Sequence, residues 1–186
     1  MGRRKTYDRE AVAQRAMLVF WQQGYDGTTI GELEDALQIN RYSLFAEFGS
    51  KQGLFEAALA VYEASIIEAN LGGMEAPGAS VDEIVAFLGR FRGGTEAQAL
   101  AGCMLCNAAV EQAPDSPKVR ARALAYFDRL RKALHHALGG GDAAALHAAA
   151  LSSAVLGGFV QARGGMSAKD REQALDGLEA WVRALA

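Results

Sequence analysis

The sequence predicts an all-α protein: an N-terminal three-helix helix-turn-helix domain followed by a larger helical region, about nine helices in all. Three observations predict it. Proline is scarce, with three in 186 residues, while alanine is abundant, so helix propensity runs high along the chain. Apolar residues recur at helical rather than strand spacing, and no segment reads as a convincing strand. Residues 28–55 then place two short helices around a tight turn, followed by the capped start of a longer helix.

The first helix is expected from about Asp8 to Gln23. Ala11, Ala16, Leu18, Val19 and Phe20 give it an apolar side, and Gly24 ends it. Thr29 and Glu32 have capping-box spacing, so a second helix starts there with Ile30, Leu33 and Leu37 inward. Gln38-Ile39-Asn40 is the turn, and Asn40 caps a third helix from Arg41 to Phe48. Leu44 and Phe48, four apart, face the core. Ser50 caps a fourth helix, roughly Lys51 to Asn70, and the segment 71–78 breaks it. Further helices follow from Ser80 to about Arg92, from Glu96 to Gln112, and over 118–138. The last two run from the Asp142 cap to Arg163 and from Ser167 to about Leu185.

Composition narrows the class. Hydrophobic residues make up 51% and charged residues 22%, as in ordinary globular proteins. The basic N-terminus lacks an apolar signal core, and no apolar run is seen to reach the roughly 18 residues of a membrane span, so a cytoplasmic protein without membrane contact is expected. Two cysteines do not suggest a disulfide scaffold. The net charge of −3 is unusual for a nucleic-acid binder. Residues 1–53 hold seven basic and seven acidic side chains, the basic ones at an N-terminal arm and at helix starts. Affinity for DNA would rest on a few placed contacts rather than on a broad positive field.

In a helix-turn-helix the second helix lies in the major groove and its first residues reach base edges. Here these are Arg41, Tyr42 and Ser43. Arginine can bond a guanine edge in bidentate fashion, and serine can donate or accept. Thr28, Thr29 and Lys51 stand at helix starts, where hydroxyls, amides and an ammonium converge on phosphate. Arg3, Arg4 and Lys5 form a basic arm.

Leu18-x-Phe20, Gly24-Tyr25-x-x-Thr28-Thr29, Leu33, Ile39, Leu44-Phe45-x-x-Phe48 and Ser50-Lys51-x-x-Leu54 give the chain a further identity. Over residues 15–59 it resembles the tetracycline-repressor-like (TetR/AcrR) transcriptional regulators. The resemblance implies a DNA-binding domain over 1–50 and an effector-binding and dimerisation domain over 51–186. It also implies a homodimer on double-stranded operator DNA, a small-molecule effector of unknown identity, and no enzymatic activity, cofactor or metal. By the same resemblance Thr28 or Thr29 and Lys51 contact phosphate, while Arg41, Tyr42 and Ser43 read bases. Phe45 stands where the family usually has tyrosine, which removes a phosphate-bonding hydroxyl. Glu47 would repel phosphate unless it faces away or reads a cytosine amino group.

In the C-terminal region Phe87, Phe91, Met104, Tyr126, Phe127 and Leu130 are apolar candidates for an effector pocket, with Asn107, Glu111 and His135 as polar groups to orient a ligand. Cys103 and Cys106 are three apart and share a helix face. That spacing suits redox chemistry or two metal ligands, and a CxxC thiol oxidoreductase would lack the strand–helix context. The segment from Gly102-Cys103 to Asn107 and Glu111 is also similar to a subgroup of the same family, which implies the alternative of a thiol-based redox or electrophile sensor using Cys103. Leu151, Val155 and Phe159 on one helix and Leu178, Trp181 and Val182 on the other are expected at a two-fold dimer interface.

Overall fold

The computed structural model describes residues 7–92 and 95–186. Among these residues every regular element is helical, and the expected fold class holds. The helices are α1 (Arg9–Gln23), α2 (Ile30–Leu37), α3 (Arg41–Phe48), α4 (Lys51–Tyr62), a π turn (Glu63–Ile67), α5 (Glu68–Glu75), α6 (Val81–Gly89), α7 (Glu96–Ala101), α8 (Met104–Glu111), α9 (Pro117–Ala137), α10 (Gly141–Arg163) and α11 (Ala168–Arg183). α4, the π turn and α5 form one continuous rod. The basic arm residues Arg3, Arg4 and Lys5 lie outside the described residues.

Local chemistry sets most boundaries. Asp8 accepts from the Glu10 amide at the start of α1. Thr29 and Glu32 close a capping box on α2: the Thr29 amide donates to Glu32 at 2.7 Å, and the Glu32 amide donates to Thr29 Oγ1 at 3.2 Å. Asn40, Ser50, Ser80, Ser116 and Ser167 each cap the helix that follows them.

Four departures from the expected elements have physical causes. α5 runs through Gly72-Gly73 to Glu75, because burial of Leu71 and Met74 outweighs the weak helix propensity of glycine. The expected 96–112 helix is divided at Gly102, whose φ of 61° no helix accepts; the Phe159 carbonyl of α10 comes so close that a Cβ would lie 2.9 Å from it. Gly140 rather than Asp142 precedes α10, with no side-chain cap. On α1 the buried stripe is Val12, Ala13, Ala16, Met17 and Phe20, and Leu18 is 51% exposed.

One apolar core runs through the molecule. At its N-terminal end α1, α2 and α3 pack around Phe20, Leu33, Leu37, Leu44 and Phe48, and α4 seals the base with Leu54 and Phe55. The Phe55 ring meets Phe20 and Tyr25 edge-on at 5.1 and 4.9 Å. The rod α4–α5 then leads into the C-terminal helices, where α9 packs against α5, α8 and α10. Arg129 of α9 holds Glu68 and Glu75 of α5 at 2.8 and 2.6 Å.

α10 corrects the expectation about membrane-length segments. An 18-residue window of it has mean hydropathy 1.6, so by length and composition it could cross a membrane. It escapes notice in the sequence because alanine and glycine, not leucine runs, make it apolar. Only 28% of that window is buried, so much of an apolar helix lies uncovered in the single chain.

Candidate functional site

α3 presents its first turn outward. Tyr42 is 84% exposed and Arg41 is also exposed, while Ser43 is half-buried. The Arg41 backbone amide donates to the Glu34 carboxylate of α2, which ties the start of α3 to its neighbour. The Arg41 guanidinium sits 5.7 Å from the Phe45 ring centroid, so Phe45 steadies the arginine rather than offering a hydroxyl. With Glu34, Asn40 and Ala46, the residues Arg41, Tyr42 and Phe45 line a shallow outer cleft.

The flanking residues divide differently from the expectation. Thr28 is 1% exposed and its hydroxyl donates to the Gly24 carbonyl at 2.6 Å, so it is an internal latch and not a phosphate contact. Thr29 stays on the surface, its hydroxyl engaged with Glu32. Those bonds from Thr29 hold the Glu32 carboxyl below its ordinary range, with a smaller contribution from the charge of Lys51. Lys51 itself lies over the Tyr25 ring at 4.2 Å. Glu47 faces away from the reading turn and pairs with Arg9 at 3.2 Å. Its charge is thereby directed at a cation of α1.

A cavity of about 740 Å³ opens in the C-terminal region. Of the expected pocket residues, Phe87, Phe91 and Tyr126 line it. Cys103, Met104 and Leu130 are instead packed in the core, and Phe127 lies half-buried against it; none of them lines the cavity. Asn107 donates to the Ala101 carbonyl at 2.9 Å and so closes the end of α7. Glu111 accepts from the Tyr25 and Asp26 amides at 2.6 and 3.4 Å, which docks α8 onto the α1–α2 turn. His135 bonds the Gly141 carbonyl at 3.1 Å. All three polar candidates therefore serve backbone groups, because each lies beside a helix end or turn with unpaired donors or acceptors.

The expected dimer residues divide in the same way, with Phe159, Leu178 and Trp181 half-buried. Leu151, Val155 and Val182 are buried within the chain. Val155, Phe159, Leu178 and Trp181 line the cavity. The outward side of α10 carries Leu146 at 75% and Val160 at 56% exposure, with Ala149 and Ala150 between them and Ser153 at the edge of the cavity. The 146-153-160 spacing is helical, and so is 151-155-159; α10 is apolar on both sides, so periodicity in the sequence selected the inner one.

Sequence reasoning missed the cavity wall furthest from the C-terminus. Trp21 of α1 lines the cavity, meets Tyr62 edge-on at 5.1 Å and donates its indole N–H to the Gly102 carbonyl at 2.8 Å. Arg163, at the end of α10, donates to the Gln22 carbonyl at 2.8 Å. The cavity and the helix-turn-helix unit thus share α1. Replacing Glu111 with glutamine should loosen this docking. Charge-assisted bonds to backbone amides contribute about 1.5–3 kcal/mol, so E111Q is expected to lower the melting temperature by roughly 3–12 °C in calorimetry.

The thiols are enclosed. Cys103 is 1% exposed and precedes α8. Burial pushes its thiol up, but hydrogen bonds from the Cys106 thiol and amide, the Tyr62 hydroxyl and the Leu105 amide bring it down to about 7. Cys106 is pushed far up by its bond to Cys103 and by burial. Neither sulfur lines the cavity, so a thiol reagent has no open path to them. Among the described residues no cluster of His, Cys, Asp or Glu could hold a metal ion.

Residues 13–58 match the family model described as bacterial regulatory proteins, tetR family. The chain is 37% identical over 141 residues to the HTH-type transcriptional regulator YezE of Bacillus subtilis, covering 74% of this chain and 69% of that protein. It is 37% identical over 120 residues to the HTH-type transcriptional repressor ComR of Escherichia coli, covering 62% and 56% respectively. Among solved structures it is similar to the TetR family regulator CifR bound to a 26-base-pair double-strand operator, with a TM-score of 0.75 and 29% identity over 98% of this chain and 99% of that one. The match of motif, fold and full-length likeness places this chain in the TetR family of bacterial regulatory proteins.

Proposed function

We propose that the protein is a homodimeric, ligand-responsive transcriptional repressor. In this reading residues 1–50 are the DNA-binding domain and residues 51–186 the effector-binding and dimerisation domain. Arg41, Tyr42 and Ser43 read bases in a palindromic operator, and Thr29 and Lys51 meet phosphate. The observation that carries the proposal is the shared wall: Trp21 belongs to the helix that braces the reader, yet lines the 740 Å³ cavity and bonds Gly102 across it. A ligand pressing on that wall acts on α1 directly. If it binds better to a state with displaced reading heads, it releases the DNA. Curated relatives named as repressors and the operator complex of CifR support the same reading.

The outward stripe of α10 supports dimerisation. Leu146, Ala149, Ala150 and Val160 form an uncovered apolar strip whose small residues permit close helix approach. A second copy across a two-fold axis would cover it and complete a four-helix bundle with α11. The combined variant L146E/V160E is expected to sediment as a monomer and to lose operator affinity. Selection of duplexes from a random pool by wild-type protein tests the rest. Enrichment of inverted half-sites about 34–36 Å apart is expected. Enrichment of a single asymmetric site would overturn the dimeric reading.

A further inference from the structure

We propose that the cavity takes an amphipathic organic acid, an apolar or aromatic body ending in a carboxylate, with Arg171 as the contact for its anion. The inference rests on the ligand-responsive reading above and names the chemical class of the ligand. The body of the cavity is apolar: Phe87, Phe91 and Phe159 meet edge-on in sequence at 5.0 Å each, and Trp21, Tyr62 and Trp181 add further aromatic wall. Its volume of about 740 Å³ suits a small organic molecule.

The charge in the wall is one-sided. Two arginines, Arg90 and Arg171, line the cavity, and no aspartate or glutamate does, although the chain carries a net charge of −3. Arg90 is engaged with neutral groups, the Ala69 carbonyl and the Asn70 side chain. Arg171 is half-buried; its amide donates to the Ser167 carbonyl at 3.0 Å, while its guanidinium has no hydrogen-bond or ion-pair partner among the described residues. The acids that share its helix are drawn elsewhere. Arg92 gathers Glu172, Asp176 and Glu179 from α11, and Asp170 serves the Ser167 cap. A partly desolvated guanidinium without an ion-pair partner gains from an anion, and its planar fork suits a carboxylate. A bound acid supplies that anion while its body fills the aromatic space. A cation would meet two arginines, and a neutral analogue would leave Arg171 unpaired.

The chain has two tryptophans, and both line the cavity, so intrinsic fluorescence reports occupancy. The full-length protein would be titrated with decanoate and naphthaleneacetate and with their neutral counterparts, decanol and naphthaleneacetamide. The acids are expected to bind about tenfold tighter than the neutral compounds. Arg171→Gln should bring the acids down to the neutral level and leave neutral binding unchanged. Equal binding of acid and neutral compounds by wild type, or undiminished acid binding by R171Q, would overturn the assignment. A gel shift with a selected duplex separates this from the repressor reading. If the acids bind through Arg171 but leave the DNA complex intact, the ligand class stands and ligand-driven release falls. If a neutral compound releases DNA and the acids do not, release stands and the ligand class falls.

Discussion

Replacing Gly53 with alanine is expected to destabilise the protein by roughly 3 kcal/mol or more and to abolish DNA binding at 37 °C. Gly53 is the third residue of α4, where the chain turns back sharply from the end of α3. An added Cβ would lie far inside 3.0 Å of the Phe48 carbonyl oxygen. That oxygen is backbone and cannot swing away as a side-chain tip could. Relief requires α4 to move off α3, which pulls Leu54 and Phe55 out of the core they share with Phe20 and Tyr25. It also breaks the bond from the Gly53 amide to the Ser50 hydroxyl that starts α4. Gly49 is the control. Its φ of 77° favours glycine, but nothing lies within 4 Å of a Cβ there. Gly49→Ala is therefore expected to cost about 1–2 kcal/mol, the strain of an alanine held at positive φ, with no steric clash added. Calorimetry checks both: a drop of roughly 6–12 °C or more for G53A against a smaller one, roughly 2–8 °C, for G49A, with DNA binding kept by G49A alone.

The contrast between these glycines shows what the sequence could and could not reveal. The helix-turn-helix unit was legible because its determinants are local. Thr29 with Glu32, Asn40 and Ser50 stand within three residues of the groups they cap, and Leu33, Leu37, Leu44 and Phe48 repeat at helical spacing. Helix spacing does not say which of two apolar faces turns inward, and that is where α10 misled: Leu151 and Val155 pack inside, while Leu146 and Val160 remain uncovered. The cavity was only partly legible for a different reason. Trp21 and Gly102, 81 positions apart in sequence, meet through a single hydrogen bond that no local pattern announces. Glu111 looked like a ligand-orienting group because it is polar on an apolar helix. Its partners, the Tyr25 and Asp26 amides, become visible only once α8 is docked on the α1–α2 turn.

Double replacement of Arg41 and Tyr42 by alanine is expected to weaken binding to the selected operator by about 100-fold or more, since each good base contact contributes about 1–3 kcal/mol of discrimination. Tyr42 carries a large aromatic ring at 84% exposure, and no packing among the described residues accounts for it. Arg41 is exposed, its guanidinium resting near the Phe45 ring, while its backbone fixes the start of α3 to Glu34 of α2. Alanine keeps that backbone bond and favours helix, so the melting temperature should change little. Loss of operator binding with an unchanged fold would separate reading from stability, as G53A cannot. Lys51→Ala provides the complementary outcome. A phosphate contact carries no sequence information, so its loss should weaken operator and random duplexes alike and reduce the salt dependence by about one counterion. If R41A/Y42A weakened both duplexes equally, or left the operator affinity intact, α3 would not be the reading helix. The uncovered first turn of α3 would then need another partner.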